Sequence, residues 1–298
     1  MEDRIKGALL GLACGDAVGT TLEFEVRGSF EPITDMVGGG PFGLEPGQWT
    51  DDTSMALCLA QSLVCKKMFD PADQMNRYCN WYQQGYMSSN GECFDIGITV
   101  SSALRKYLET KEPFSGAIDE YSSGNGSIMR LAPIPIFYHN DYDSCIKYAG
   151  ESSRTTHGSE ECIDSCKLFA SLIFNAFRAT DKSQIFENNK YKPYCEKVRS
   201  IAALDFLSLS YDQINGSGYV VDSLESALWC FMNASTFEES ILLAANLGND
   251  ADTTAAVCGQ ISGAYYGVDS IPEKWRTKLA MSKEIEALAL ALFGNPES

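Results

Sequence analysis

The chain has 298 residues, 45% of them hydrophobic, with 40 acidic against 23 basic side chains and a net charge of −17. That balance argues against nucleic acid as a main partner, because neutralising phosphates takes clustered Lys and Arg. A phosphate-bearing small molecule remains open, provided cations or backbone N–H groups carry the positive charge.

In chain order, Met1-Glu2-Asp3-Arg4 is acidic where a signal peptide is basic, and the apolar run behind it meets Asp16 without a cleavage signature. No stretch approaches ~18 uninterrupted apolar residues, so no membrane span is expected. Eleven cysteines without a CxxC pair read as free thiols in a reducing, cytoplasmic setting. Apolar positions spaced three and four apart predict helices over 3–19, 52–67, 71–83, 95–109, 142–150, 159–179, 194–208, 221–233, 237–246, 252–266 and 284–293. Gly/Pro punctuation falls at 38–47 and 122–127. Strand-like alternation is scarce and no low-complexity linker divides the chain. Residues 1–298 therefore read as one compact all-α, multi-helix domain.

Two glycine ladders interrupt the helical pattern, Gly7-Gly11-Gly15-Gly19 and Gly259-Gly263-Gly267. A helix-interior glycine costs roughly 1 kcal/mol against alanine, so a repeated ladder needs a packing reason. The first and the near-last helix are expected to lie against close neighbours, with each other as one candidate. If they touch, the segments at 49–53 and 248–254 can meet in one cleft.

Those segments carry the chemistry. Trp49-Thr50-Asp51-Asp52-Thr53 and Gly248-Asn249-Asp250-Ala251-Asp252-Thr253-Thr254 each place two aspartates and hydroxyls at a helix start. Four carboxylates so placed suit hard divalent cations, which prefer oxygen ligands. The alternative is that Thr50 and Asp250 cap their helices and set negative charge on the positive end of the dipole. A calcium loop starting at Asp250 fails, since its sixth and twelfth positions are Ala255 and Ile261.

Ser123-Gly124-Asn125-Gly126-Ser127-Ile128-Met129-Arg130 is a Gly-rich turn whose N–H groups can cradle a phosphate, or a plain structural turn. It has neither GK[ST] nor a GxGxxG pattern. His157 is one of two histidines and is expected at a helix entrance; no serine or cysteine neighbour supports a nucleophilic triad. Cys162 and Cys166, a turn apart near His157, lack the second cysteine pair of a zinc site and read as buried thiols.

Taken together, these segments resemble a known family. Gly11-Leu12-Ala13-Cys14-Gly15-Asp16-Ala17-Val18-Gly19 with Glu23-Phe24 is similar to the opening motif of the ADP-ribosylglycohydrolases. Trp49 to Met55, Gly124 to Arg130, Thr156-His157, Gly218 to Leu224 and Asn246 to Gly267 resemble five further family segments, in family order. The resemblance implies an all-helical fold with two Mg²⁺ or Mn²⁺ ions that removes ADP-ribose from modified protein side chains. It implies Thr50, Asp51, Asp52, Asp250, Asp252 and Thr253 as metal ligands, and Glu23 as a mobile glutamate near them. Gly124, Asn125, Gly126, Ser127 and Met129 belong to the implied phosphate loop, and His157 and Tyr219 to the nucleotide pocket.

Cys93-Phe94-Asp95-Ile96-Gly97 resembles a segment of the arginine-specific branch, in which the aspartate faces the leaving guanidinium. Asp95 as the cap of the following helix is the alternative. Asn249 departs from the commoner Gly-Gly-Asp form of the second metal motif. The expected enzyme is thus an ADP-ribosylarginine hydrolase, with Glu23 or Asp52 as base and Asp95 beside the leaving group. Its expected partners are ADP-ribose and an ADP-ribosylated protein. The rivals are a silent ADP-ribose-binding or structural protein, a hydrolase of serine or O-acyl ester linkages, and a two-metal phosphohydrolase acting on the diphosphate.

Overall fold

Glycine spacing decides the centre of the molecule. A computed structural model describes residues 1–294, and its helices are α1 (Glu2–Gly19), α2 (Asp51–Lys66), α3 (Pro71–Gln84), α4 (Ile98–Thr110), α5 (Pro133–Phe137), α6 (Tyr142–Arg154) and α7 (Glu160–Ala176). They continue as α8 (Ser183–Glu187), α9 (Glu196–Ala202), α10 (Val220–Asn233), α11 (Phe237–Ala245), α12 (Ala251–Tyr266), α13 (Glu273–Lys278) and α14 (Ser282–Phe293). Only isolated β-bridges accompany them among the described residues, so the fold is all-α. No helix of the described residues is long and apolar enough to cross a membrane.

The closest helix pair is α1 against α12. A Cβ on Gly7 would fall on the Gly263 carbonyl oxygen, one on Gly11 on the Gly259 carbonyl, and one on Gly263 on the Gly7 carbonyl. The two ladders are therefore two halves of one contact, which backbone meets backbone to make. Both helices are buried around their full circumference over most of their length, and the others wrap them. Because α1 ends at Gly19 against Ala251 and Asp252, the start of α12 is held beside the segment that leaves α1.

Several predicted boundaries moved. Residues 95–97 are not helical: Asp95 sits at φ 60°, in the left-handed region that aspartate tolerates better than most residues, and α4 starts only at Ile98. The run 194–208 is split by Leu204 at φ 66° into α9 and a 3₁₀ turn at Asp205–Ser208. The run 142–150 continues to Arg154. Helices α5, α8 and α13, of five, five and six residues, are too short to show a period in sequence.

Candidate active site

Each acidic helix start is capped by a carboxylate borrowed from elsewhere. Thr50 and Asp250 occupy the positions before α2 and α12, but neither side chain caps its own helix, which overturns the capping alternative. At α2 the work is done by Asp16 of α1. It accepts from the N–H groups of Thr50 (2.8 Å) and Thr53 (3.0 Å), and from the Thr53 hydroxyl at 2.6 Å. At α12 Glu23 takes the place, accepting from the N–H of Ala251 at 2.8 Å and of Asp252 at 3.4 Å. An anion at a helix N-terminus satisfies orphan donors and meets the positive end of the dipole.

Freed from capping, the motif side chains turn toward one another. The Thr50 hydroxyl lies 2.9 Å from Asp16 Oδ1 and 3.2 Å from Asp252 Oδ2. Thr253 Oγ1 donates to Asp52 Oδ1 at 3.3 Å. The two clusters, about two hundred residues apart in sequence, thus form one centre. Glu23, Asp250 and Asp252 each bring a carboxylate oxygen within 4.8 Å of the others'. Glu23, Asp51, Asp95, Asp250 and Asp252 line a cavity of about 1110 Å³, and no Lys or Arg is among its described lining residues.

So many carboxylates without a counter-charge resist ionisation. Burial first, then repulsion from Asp252, pushes Asp16, Glu23, Asp51, Asp52, Asp95 and Asp250 well above the ordinary carboxylate range. Asp52 Oδ2 is buried with no hydrogen-bond partner. An all-oxygen donor set, excess negative charge and an orphaned carboxylate oxygen together fit a hard divalent cation. Thr50, Asp51, Asp52, Asp250, Asp252 and Thr253 are the groups in place to hold one, with Glu23 joining them.

The Gly-rich turn forms another part of the same cavity. Gly124, Asn125, Gly126, Met129 and His157 line it. The turn is fastened by the segment before α10, through Asn125 N–H to Gly218 O (3.0 Å) and Val220 N–H to Ser123 O (2.9 Å). Asn125 Nδ2 donates to Asp250 Oδ2 at 2.8 Å and so ties the turn to the carboxylate centre. Two expected pocket residues do not line the cavity. The Ser127 hydroxyl faces inward, accepting from Ser153 Oγ and Cys166 Sγ. Tyr219 donates to Glu161 Oε2 and accepts from Lys197 Nζ, so its contact with the turn is made by backbone.

The sequence model of the ADP-ribosylglycohydrolase family matches residues 1–298. The chain is 46% identical over 295 residues to the ADP-ribosylarginine hydrolase Tri1 of Pseudomonas putida, covering 98% of this chain and 78% of that protein. It is 30% identical to the ADP-ribosyl-[dinitrogen reductase] glycohydrolase of Rhodospirillum rubrum, covering 96% and 93%. A solved structure described as an ADP-ribosylglycohydrolase-related protein complex superposes with a TM-score of 0.85 at 40% identity, covering 98% and 97% of the two chains.

The chain belongs to the ADP-ribosylglycohydrolase family. As an enzyme of that family it is a hydrolase.

Two of its organising residues escaped sequence reasoning. Asp16 lay inside the Gly11–Gly19 motif without a role of its own, yet it holds the Thr50–Thr53 segment in place. Arg130 is fully buried and meets no carboxylate among the described residues. It donates to Gly126 O at 2.8 Å and Thr156 Oγ1 at 2.7 Å, and its guanidinium lies 4.8 Å from the Tyr78 ring centre. Thr156 Oγ1 lies 2.8 Å from His157 Nδ1. The guanidinium donates to the Thr156 oxygen, which also contacts Nδ1, and the other ring nitrogen, Nε2, lies beside the loop glycines. Burial, and then the Arg130 charge, lowers His157 to about 3, so the ring is neutral. Cys162 and Cys166 are thiols against the back of the turn, raised by burial, with Cys162 Sγ 3.2 Å from Gly124 O. No zinc site forms from them with His157: the one described group of three or more metal-ligating side chains is Glu23, Asp250 and Asp252.

Proposed function

We propose that this chain, as one domain over residues 1–298, hydrolyses the N-glycosidic bond joining ADP-ribose to an arginine side chain of a modified protein, with two Mg²⁺ or Mn²⁺ ions held at the carboxylate centre. The observation that carries the reading is Asp95, a carboxylate in the wall of the same cavity as the centre and the phosphate loop. A guanidinium is a planar cation that carboxylates bind through paired hydrogen bonds. The 46% identity to a protein named as an ADP-ribosylarginine hydrolase supports the same linkage.

The ions would be held by Thr50, Asp51, Asp52, Asp250, Asp252 and Thr253. When bound, they supply positive charge that offsets the carboxylates and acidify water for attack at neutral pH. The N–H groups of Gly124, Gly126 and Ser127, with neutral His157 donating from Nε2, bind and orient the diphosphate and adjoining ribose. Glu23 takes the proton of the attacking water as its oxygen bonds to C1″ of the distal ribose. The C1″–N bond breaks with its electron pair going to the guanidine nitrogen, the proton taken by Glu23 passes to that nitrogen, and Asp95 orients the departing guanidinium.

The test is release of free ADP-ribose from an arginine-ADP-ribosylated peptide with Mg²⁺, Mn²⁺ or EDTA, beside Asp252→Asn. Release that requires the ion and is lost in the variant is expected. Tight ADP-ribose binding without release would move the assignment to serine or ester linkages, and AMP as product would indicate diphosphate cleavage.

A further inference from the structure

Two phenylalanines that line the cavity, Phe24 and Phe42, and a third packed on Phe42, Phe94, lie outside the hydrophobic core. Phe24 is 66% exposed and sits at φ 64°, a left-handed conformation that bulky side chains avoid. Two hydrogen bonds hold it there, Phe24 N–H to Asn249 O and Asn249 N–H to Glu25 O, both 2.7 Å. Exposing an aromatic ring from a strained backbone brings folding no gain, and such strain collects at functional sites.

Phe24 does not stand alone. Its ring lies edge-on to Phe42 with centroids 6.4 Å apart, and Phe42 lies 5.4 Å from Phe94. Phe42 is carried in by the Gly/Pro segment 38–47, where Gly40 passes so close to the Thr20 carbonyl that no Cβ fits. Phe24 and Phe42 both line the acidic cavity. Phe24 directly follows Glu23 and Phe94 directly precedes Asp95, so each end of the aromatic arc is adjacent in sequence to a cavity carboxylate.

Electron-rich ring faces beside carboxylates attract organic cations. Among the described residues no Lys or Arg stacks on any of the three rings, and none lines the cavity. The arc is left without an internal partner.

Resting on the arginine-hydrolase reading above, we infer that Phe24, Phe42 and Phe94 form an acceptor subsite that seats the guanidinium and aliphatic stem of the modified arginine against Asp95. The rings accept the face of the planar cation while the carboxylate takes its edge. The subsite selects arginine-linked over uncharged acceptors without touching the ADP-ribose half.

The experiment compares KM for an ADP-ribosylarginine peptide with the inhibition constant of free ADP-ribose, in wild type, Phe24→Ala, Phe42→Ala and Phe24→Trp. The expected result is a KM rise of roughly five- to thirty-fold for each alanine variant, the reach of a partly desolvated cation–π contact. ADP-ribose inhibition stays the same, and Phe24→Trp recovers the wild-type KM. Unchanged KM in both alanine variants overturns the subsite, as does an equal loss of ADP-ribose affinity, which would make the rings supports for the cavity wall. A wild type silent on the arginine peptide overturns the parent reading, and the subsite with it.

Discussion

Two charged regions stand at the same cavity, one lining it and the other buried behind its Gly-rich wall, and neither meets a side chain of opposite charge. At the starts of α2 and α12 carboxylates crowd together with no Lys or Arg among the cavity-lining residues. Behind the Gly124–Met129 turn a fully buried Arg130 has no carboxylate partner, and its Nε has no hydrogen bond at all. Burying an uncompensated charge is expensive; at the acidic centre a cation would offset that cost, while the Arg130 charge is met by the Gly126 and Thr156 oxygens and the Tyr78 ring. The acidic region suits cations, whereas Arg130 braces the Gly-rich turn from behind through Gly126 O and Thr156 Oγ1.

The largest effect should come from breaking the acidic side. Asp52→Asn removes a carboxylate whose Oδ2 is unpartnered, and turnover should fall roughly 10²–10³-fold, the scale of losing a transition-state charge stabiliser. The same variant, stripped of metal, should melt at a higher temperature than stripped wild type, because repulsion is relieved. Full turnover in Asp52→Asn would sink the metal-centred mechanism, whereas full turnover in Glu23→Gln would remove only the base assigned here.

Breaking the basic side should act on binding. Arg130→Met deletes the hydrogen bonds to Gly126 O and Thr156 Oγ1, and charged hydrogen bonds contribute about 1.5–3 kcal/mol each. ADP-ribose affinity, followed by calorimetry, should drop by roughly tenfold or more while adenosine affinity changes little. A parallel loss for adenosine would show that Arg130 merely supports the fold.

Asn125 joins the two regions, donating to Asp250 Oδ2 from within the turn. Asn125→Ala should weaken Mn²⁺ and ADP-ribose together, each by about tenfold, the lower end of what partners of metal ligands contribute. Weakening of one ligand alone would mean the regions act independently.

The smallest effect is on stability against pH, and its sign differs between the regions. Asp16 and Asp250 are raised to about 7, by burial and then by Asp252. A raised carboxylate contributes stability below its unfolded value of ~4 that is lost as pH climbs through the folded value. Metal-free protein should therefore lose melting temperature between about pH 4 and 7, and Mg²⁺ should remove the slope. His157, lowered to about 3, acts oppositely: its contribution is present above ~6.5 and is lost as pH falls toward 3. Asp52→Asn should flatten the first slope and leave the second.

Much of this was legible in the chain because it is local. Helix starts, their acidic turns and the Gly-Asn-Gly-Ser turn are set by neighbours in sequence, and the two glycine ladders encode a backbone contact with a period that can be counted. The all-α fold, the family and the convergence of the clusters at 49–53 and 248–254 followed from those signals. What sequence could not decide was direction and partnership at a distance. Whether Thr50 and Asp250 cap their own helices depended on Asp16 and Glu23 arriving from α1 and its extension to take that role. Asp95 was helical by pattern but is left-handed in the fold, Ser127 and Tyr219 turn their hydroxyls away from the cavity, and nothing in the Gly124–Arg130 segment marked Arg130 as buried. Local propensity chooses the helices; only packing of α1 against α12 chooses which charges are buried together, because burial and Coulomb repulsion belong to the assembled cavity and not to any segment of it.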